Sequence, residues 1–128
     1  MNIDLPKSSY VPQLRALWKE AFGDTDEFLD TFFTAAYSAD RCRCCTENGE
    51  VIAALYWFDC SYGDEKIAYI YAVATAKAHR GRGICKRLME DTHAYLSAHA
   101  YGAAMLVPGS EGLFAFYERL GTSHQRIR

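Results

Sequence analysis

The chain has 128 residues, of which 50% are hydrophobic and 14% aromatic, so it is long enough for one domain with a sizeable core. This composition excludes disordered, collagen-like and low-complexity chains. Fourteen Lys and Arg residues against sixteen Asp and Glu residues give a net charge of −2, which provides no global attraction to nucleic acid or to an anionic membrane. Any anion-binding site must therefore be local.

The first part of the chain predicts one short strand and two amphipathic helices. The strand is Ile3–Leu5, ended by a proline. Apolar residues then recur at helical spacing over Val11–Phe22, and Gly23 is a typical helix end. A second helix is expected to begin at Asp24 or Thr25, both of which are good capping residues.

From residue 41 the pattern changes to strands. Arg41–Thr46 and Val51–Asp59 flank the pair Asn48-Gly49, which is a strong signal for a two-residue hairpin turn. A third strand, Lys66–Thr75, is rich in Tyr, Ile and Val and follows a second glycine-containing turn. These three strands predict an antiparallel meander.

The last third returns to alternating elements. A long helix is predicted from Arg82 to about Ala100, followed by the strand Ala103–Val107 and a helix over Glu111–Leu120 that Gly121 ends. The whole order predicts a mixed α/β (α+β) domain with a mainly antiparallel central sheet flanked by helices.

The cysteines and the N-terminal residues bear on location and on metals. The five cysteines are odd in number and lack Cys-x-x-Cys spacing, so we predict buried reduced thiols and no metal site. No apolar run approaches the roughly 20 residues of a membrane span, and Met1–Lys7 does not resemble a signal peptide. We therefore expect a cytoplasmic protein with neither a membrane nor a nucleic-acid partner.

The densest chemical signal is a strand, a short loop with two glycines and three cations, and then a helix. Gly81 and Gly83 allow the backbone to approach an anion closely, and Arg80, Arg82 and Lys86 add positive charge. A helix N-terminus also offers N–H groups without intrahelical partners. This arrangement favours binding of a diphosphate. The structural alternative, a helix start with turning glycines and solvated arginines, stays open on composition alone.

Two other glycine-loop classes are excluded. A dinucleotide-binding fingerprint needs a third glycine where Lys86 stands, and the chain has no Gly-Lys-Ser/Thr sequence of a nucleotide-triphosphate loop. An RNA-binding Arg-Gly segment is not indicated either, because this Arg-Gly pair stands alone within an ordered pattern.

The segment Arg80–Cys85 resembles the Arg/Gln-x-x-Gly-x-Gly/Ala signature of the GCN5-related N-acetyltransferase (GNAT) family. The strand Ile70–Thr75 before it agrees with that family's acetyl-CoA motif. Downstream, Leu106–Ser110 and Phe116–Gly121 are similar to the family's second motif. The Val-Ala-Thr strand and Ser110-Glu111-Gly112 also look like the enhanced-intracellular-survival branch. Several motif matches that occur in the family's order along the chain indicate the family more specifically than any single match does.

The resemblance implies an N-acetyltransferase that uses acetyl-CoA as cosubstrate, acts on a small-molecule or peptide amine and needs no metal. Tyr117 would be the general acid that protonates the departing thiolate, because a phenol with a pKa of about 10 is protonated at neutral pH. No general base is assigned, and Glu65 is interpreted as a solvated turn residue. The cofactor-binding residues implied are Val73, Ala74, Thr75, Arg80, Gly81, Arg82, Gly83, Ile84, Cys85, Lys86 and Ser110.

The sequence departs from the family pattern in three places. Cys85 replaces a Gly or Ala, and Thr122 replaces a Phe after Gly121. Seven residues follow Gly121, so the last strand or strands of the family fold are expected to be missing, leaving an open sheet edge through which two copies could pair. We predict one domain, residues 1–128, and leave open that it is the N-terminal part of a longer protein. The alternative to an enzyme is a non-catalytic acyl-CoA-binding or interaction module with an incomplete acceptor site.

Overall fold

The structure is a computed structural model, and it describes residues 1–106, 116–120 and 126–127, the stretches 116–119 and 126–127 by their backbone alone. The chain divides into two compact units. Unit 1 comprises Met1–Tyr56 and Ala72–Leu88, and unit 2 comprises Trp57–Tyr71 and Met89–Arg128. Within the described residues, no helix has the length and apolar character needed to cross a membrane.

Two α-helices open unit 1, as predicted. Helix α1 covers Val11–Phe22, and Gly23 ends it in the left-handed conformation with φ 71°. Helix α2 covers Asp26–Thr31, and the Thr25 hydroxyl accepts a hydrogen bond from the Phe28 N–H at 3.1 Å. This contact is an N-cap, which satisfies one of the amide donors that every helix start leaves unpaired.

Three strands of unit 1 form an antiparallel ladder. Strand β1 (Asn2–Asp4) pairs with β2 (Cys42–Glu47), which pairs in turn with the first half of β3 (Glu50–Tyr62). The β2–β3 turn holds Asn48 at φ 53° and Gly49 at φ 80°, two positive values that the predicted two-residue hairpin turn requires. The hairpin prediction is therefore confirmed.

An aromatic cluster packs the helices of unit 1 against its strands. The Trp18 ring lies 4.7 Å from Phe32 and 5.1 Å from Tyr56, centroid to centroid, and the three side chains are buried. The indole N–H of Trp18 donates to Asp24 at 2.8 Å, so its polar atom is satisfied as well. These three side chains belong to the core of unit 1, whereas Phe22 at the end of α1 is exposed.

Strand β4 (Glu65–Thr75) begins in unit 2 and ends in unit 1. In unit 2 it pairs in parallel with β5 (Ala103–Leu106), from Ile67 opposite Ala103 to Ile70 opposite Leu106. Among the described residues, the sheet has seven strands that pair in chain order. The pairs β1–β2 and β2–β3 are antiparallel, as are the two pairs that follow β5 along the chain. The predicted mixed, mainly antiparallel sheet is thus confirmed.

Helix α3 (Ile84–Ala98) follows β4, which agrees with the helix predicted from Arg82 to about Ala100. Its buried positions Leu88, Thr92 and Leu96 recur every four residues, so they share one face of the helix. The part of α3 up to Leu88 belongs to unit 1 and the rest to unit 2.

A hydrogen-bonded cluster lies in the core of unit 2. The Trp57 indole N–H donates to the Tyr101 hydroxyl at 3.1 Å, and that hydroxyl donates to Asp59 at 2.5 Å. The Lys66 ammonium lies 4.3 Å from the centre of the Tyr101 ring. Burial, followed by the hydrogen bond to Asp59, raises the pKa of Tyr101 to about 12. The phenol is therefore held in its protonated, donating form.

The helix predicted over Glu111–Leu120 is wrong where the structure describes it. Phe116–Arg119 forms strand β6, which pairs antiparallel with β5, and Arg126–Ile127 forms a short strand β7 beside β6. Aromatic residues fit a pleated surface well, and pairing satisfies the backbone groups on the free side of β5. After Gly121, where the sequence predicts that the last strand or strands are missing, the described residues contribute only the two-residue strand β7.

The cysteines differ in exposure. Cys42, Cys44 and Cys45 on β2 are buried and reduced, as predicted. Cys60 and Cys85 are exposed, so the prediction of burial is wrong for those two. Cys60 lies near the end of β3, where the strand leaves the core, and Cys85 lies in the first turn of α3.

Candidate functional site

The predicted diphosphate-binding segment is a loop of unit 1, residues 76–83, which we call the β4–α3 loop. At its start the Ala76 N–H donates to the Ile52 carbonyl at 2.8 Å, which ties the loop to β3. A short 3₁₀ turn, Lys77–His79, follows. At its end the Arg87 N–H donates to the Gly83 carbonyl at 3.2 Å, closing the first turn of α3.

This last bond identifies the amide donors at the helix start. With Gly83 as the residue before the first helical position, the N–H groups of Gly83, Ile84, Cys85 and Lys86 precede the intrahelical ladder. Four such amides, at the positive end of the helix dipole, form a favourable environment for an anionic oxygen. Ile84 is buried and anchors the turn, whereas Cys85 is exposed and desolvation raises the pKa of its thiol.

Both glycines of the loop adopt the left-handed conformation, which favours glycine over other residues. Gly81 has φ 82° and Gly83 has φ 73°. A Cβ atom built at either position would meet nothing within 4 Å. The glycines are therefore required by backbone conformation, and the space next to them is open to a ligand. This open, amide-lined surface has the chemistry of an anion-binding site.

The structure places the three predicted cations in different surroundings. The Arg80 Nε–H donates to the carbonyl of Thr75 at 3.1 Å, so this side chain closes the loop back onto the end of β4. Lys86 is exposed in the first turn of α3. The positions of Arg80 and Lys86 are compatible with added positive charge near the amides, as the sequence predicts.

Arg82 makes contacts that sequence reasoning missed. Its guanidinium donates to the Glu47 carboxylate at 2.9 Å and to the His79 Nδ1 at 2.7 Å. The His79 Nε2 in turn lies 3.5 Å from the Glu50 carboxylate. The hydrogen bond from Arg82 holds the pKa of Glu47 below its usual range, so Glu47 is ionised at neutral pH. One predicted phosphate-binding cation is thus already paired with a carboxylate.

A cavity of about 320 Å³ lies where helix α1 meets the β4–α3 loop. The Glu20 carboxylate on α1 accepts a hydrogen bond from the Lys77 N–H at 2.9 Å, which fixes the loop from this side. The cavity is lined by Gln13, Ala16, Leu17, Glu20, Glu50, Val51, Ala76, Ala78 and His79. The loop is therefore supported by α1 as well as by the β2–β3 turn.

The three strand residues predicted to bind the cofactor, Val73, Ala74 and Thr75, come directly after an irregular position. Ala72 has φ 53°, a rare value for a residue within a strand. The parallel register of β4 with β5 runs from Ile67 to Ile70, before this irregularity. In Val73–Thr75, Ala74 is buried and its two neighbours are half-buried. A local change of backbone direction of this kind is typical of a bulge, which releases backbone groups from regular pairing.

The remaining predicted site residues lie elsewhere in the chain. Tyr117 is on strand β6, where its Cα faces Met105 and Ile127 in the register. Ser110 lies outside the described residues. Glu65 begins β4, and its side chain occupies the place that a Cβ on Gly102 would fill, 2.6 Å from Cγ. Glu65 is half-buried on a strand, so its interpretation as a solvated turn residue is wrong.

Residues 2–124 match the sequence profile of the family described as "Acetyltransferase (GNAT) domain". The chain belongs to the GNAT acetyltransferase family. The resemblance found in the sequence is thereby confirmed, and membership supports acyl transfer from an acyl-CoA as the general chemistry of this GNAT domain. No curated protein sequence matches the chain significantly.

Solved structures of low sequence identity share the fold. A GNAT family acetyltransferase from Brucella melitensis, solved with acetyl-CoA, superposes with a TM-score of 0.73 at 15% identity, over 94% of this chain and 88% of that one. YhbS from Escherichia coli, solved with CoA, gives 0.69 at 17% identity, over 83% and 61%. Eis1 from Mycobacterium abscessus gives 0.65 at 15% identity, over 89% of this chain and 30% of that one. The chain thus spans less than two thirds of YhbS and of Eis1.

Proposed function

We propose that the chain transfers an acetyl group from acetyl-CoA to a primary amine. The observation that carries the proposal is the amide-lined helix start of α3, with Gly81 and Gly83 in left-handed conformations beside open space. An acetyl-CoA molecule would place its diphosphate on the N–H groups of this turn. Its pantetheine arm would lie along Val73–Thr75, after the irregular position Ala72.

The proposed reaction is a direct transfer. The neutral amine nitrogen attacks the thioester carbonyl carbon, and a new C–N bond forms while the carbonyl oxygen becomes an oxyanion that a strand N–H would hold. Collapse of this intermediate breaks the C–S bond. The Tyr117 hydroxyl gives its proton to the leaving thiolate, the proton lost by the amine passes to solvent through a base that is not assigned, and the Tyr117 phenolate takes a proton back from solvent.

The second candidate is a non-catalytic acyl-CoA-binding module. One specific observation favours it. Phe116–Arg119 is a strand, whereas the motif from which Tyr117 was assigned as general acid was expected on a helix. In this case the β4–α3 loop would bind the diphosphate without a complete acceptor site. Both candidate functions bind the diphosphate at the β4–α3 loop, and only the enzyme uses Tyr117 as a general acid.

Thiol release from acetyl-CoA, followed with a panel of amines, separates the candidates. For the enzyme we expect turnover that Tyr117→Phe lowers by about 10²- to 10⁴-fold, the usual contribution of a general acid, with little change in affinity for CoA. Tyr62→Phe removes the same hydroxyl from a tyrosine that is 79% exposed and serves as the matched control. Binding of CoA without turnover for any amine favours the module.

Three further proposals concern the protein as a whole. We propose that residues 1–128 act as one domain, and that the open sheet edge allows two copies to pair, which sedimentation would test. We also propose a cytoplasmic location, because the five cysteines are free thiols and such thiols persist in a reducing compartment.

A further inference from the structure

Two carboxylates flank the β2–β3 turn, and each reaches a different side chain of the β4–α3 loop. Glu47 precedes the turn and pairs with Arg82 at 2.9 Å, while Glu50 follows the turn and lies 3.5 Å from His79. Between these contacts, Arg82 and His79 are joined to each other at 2.7 Å. The result is a continuous chain of four side chains from one end of the turn to the other.

The chain of contacts fixes the direction of its hydrogen bonds. A guanidinium can only donate, so the Nδ1 of His79 accepts from Arg82 and the proton of a neutral His79 sits on Nε2. The Glu50 carboxylate lies 3.5 Å from this Nε2 atom. Arg82 is therefore the donor to both of its neighbours, Glu47 and His79.

The β4–α3 loop needs such support at this position. Arg82 stands between Gly81 and Gly83, and glycine loses more conformational freedom on ordering than any other residue. A loop that is held before the ligand arrives loses less entropy on binding, which increases affinity without any new contact to the ligand. The two-residue turn that carries Glu47 and Glu50 is itself rigid, with both central residues at positive φ.

We propose that Glu47 is a positioning residue for coenzyme A: it holds Arg82, and with it the glycine-flanked loop, in the conformation that receives the diphosphate. Glu50 supports the same arrangement through His79. The inference rests on the proposed function, because its ligand is the diphosphate of CoA. It adds a role for the β2–β3 turn that lies outside the loop itself.

The test compares Glu47→Ala and Glu47→Gln with wild type, using CoA as the ligand in calorimetry. We expect Glu47→Ala to bind CoA about two- to fivefold more weakly, the range of one exposed ion pair, and Glu47→Gln to recover part of the loss through its amide oxygen. Asp30→Ala is the matched control. Asp30 forms an ion pair of 2.6 Å with Arg15, between helices α1 and α2, so its loss should leave the affinity for CoA unchanged.

A second measurement needs no ligand and tests the positioning directly. Amide hydrogen exchange at His79 and Arg87, whose N–H groups donate to the Ala76 and Gly83 carbonyls, should be faster in Glu47→Ala than in wild type, and unchanged in Asp30→Ala. Unchanged exchange in Glu47→Ala, or CoA binding as tight as or tighter than wild type, would overturn the inference. Wild-type protein that does not bind CoA would instead overturn the proposed function, and the exchange rates would still decide whether Glu47 holds the loop.

Discussion

Replacing Gly83 by alanine is the sharpest test of the β4–α3 loop. A Cβ at Gly83 would meet nothing within 4 Å, so the substitution adds no clash and acts only through the backbone, at φ 73°. An L-residue in the left-handed region costs roughly 1–2 kcal/mol. The smaller entropy of the unfolded alanine variant offsets about 0.4–1 kcal/mol of this cost. We therefore expect a net loss of about 0.5–1.5 kcal/mol of stability, or an equivalent distortion of the loop.

The two ways of relieving this strain have different consequences for binding. If the loop keeps its conformation, the variant is less stable and binds CoA as wild type does. If the loop relaxes, CoA must restore the strained conformation on binding, and about 1.4 kcal/mol of strain corresponds to a tenfold higher Kd. Because the loop is exposed and flanked by a second glycine, Gly81, we expect relaxation and an increase in Kd of up to about tenfold.

Gly23→Ala is the matched control. Gly23 ends helix α1 at φ 71°, and a Cβ built there also meets nothing within 4 Å. The two variants therefore carry nearly the same strain at different places. Urea unfolding followed by tryptophan fluorescence measures stability, and calorimetry measures the Kd for CoA. Equal Kd values for wild type, Gly83→Ala and Gly23→Ala, combined with no loss of stability in Gly83→Ala, would refute the reasoning that the left-handed conformation of Gly83 shapes the diphosphate site.

Two further predictions concern the unit 2 core and an exposed thiol. Tyr101→Phe should lower stability by about 1–3 kcal/mol in urea unfolding, because it leaves the buried Trp57 N–H without its acceptor, while Tyr62→Phe should change it by less than about 0.5 kcal/mol. Since the pKa of Tyr101 is raised to about 12, its protonated form stabilises the fold below about pH 10, and this contribution should disappear as the pH rises through 12. Saturating CoA should slow alkylation of Cys85, which lies on the helix start, relative to Cys60, as read by mass spectrometry.

The parts of the fold that local residues determine could be predicted from the sequence. Helix α1 ends where Gly23 adopts a positive φ, and the β2–β3 turn forms at Asn48-Gly49, because these conformations depend on the residue at the position itself. The strand–loop–helix unit around Gly81 and Gly83 was predictable for the same reason. Its backbone carries the candidate site, so the site's location was predictable with it.

The segment Phe116–Arg119 shows where local pattern is insufficient. In the sequence Leu113, Phe116, Tyr117 and Leu120 recur at helical spacing, and the two aromatic residues also have high strand propensity. The deciding factor is the free side of β5, whose backbone groups gain partners when β6 pairs with them from Ala103 to Leu106. A tertiary pairing therefore outweighs the periodicity that predicted a helix, and it changes the backbone that carries Tyr117.

The electrostatics of the β4–α3 loop depend on a contact that no local pattern contains. The sequence has three cations in the predicted diphosphate-binding segment, but Arg82 is paired with Glu47, which is 35 residues away along the chain. A guanidinium has five N–H donors, so Arg82 is able to share a phosphate oxygen with Glu47 rather than exchange one for the other. The loop would then offer a diphosphate less net charge than its arginines indicate, and binding would depend more on the amides of the helix start. Recognition of the diphosphate would thus depend chiefly on backbone geometry, which is the property that Gly81 and Gly83 provide.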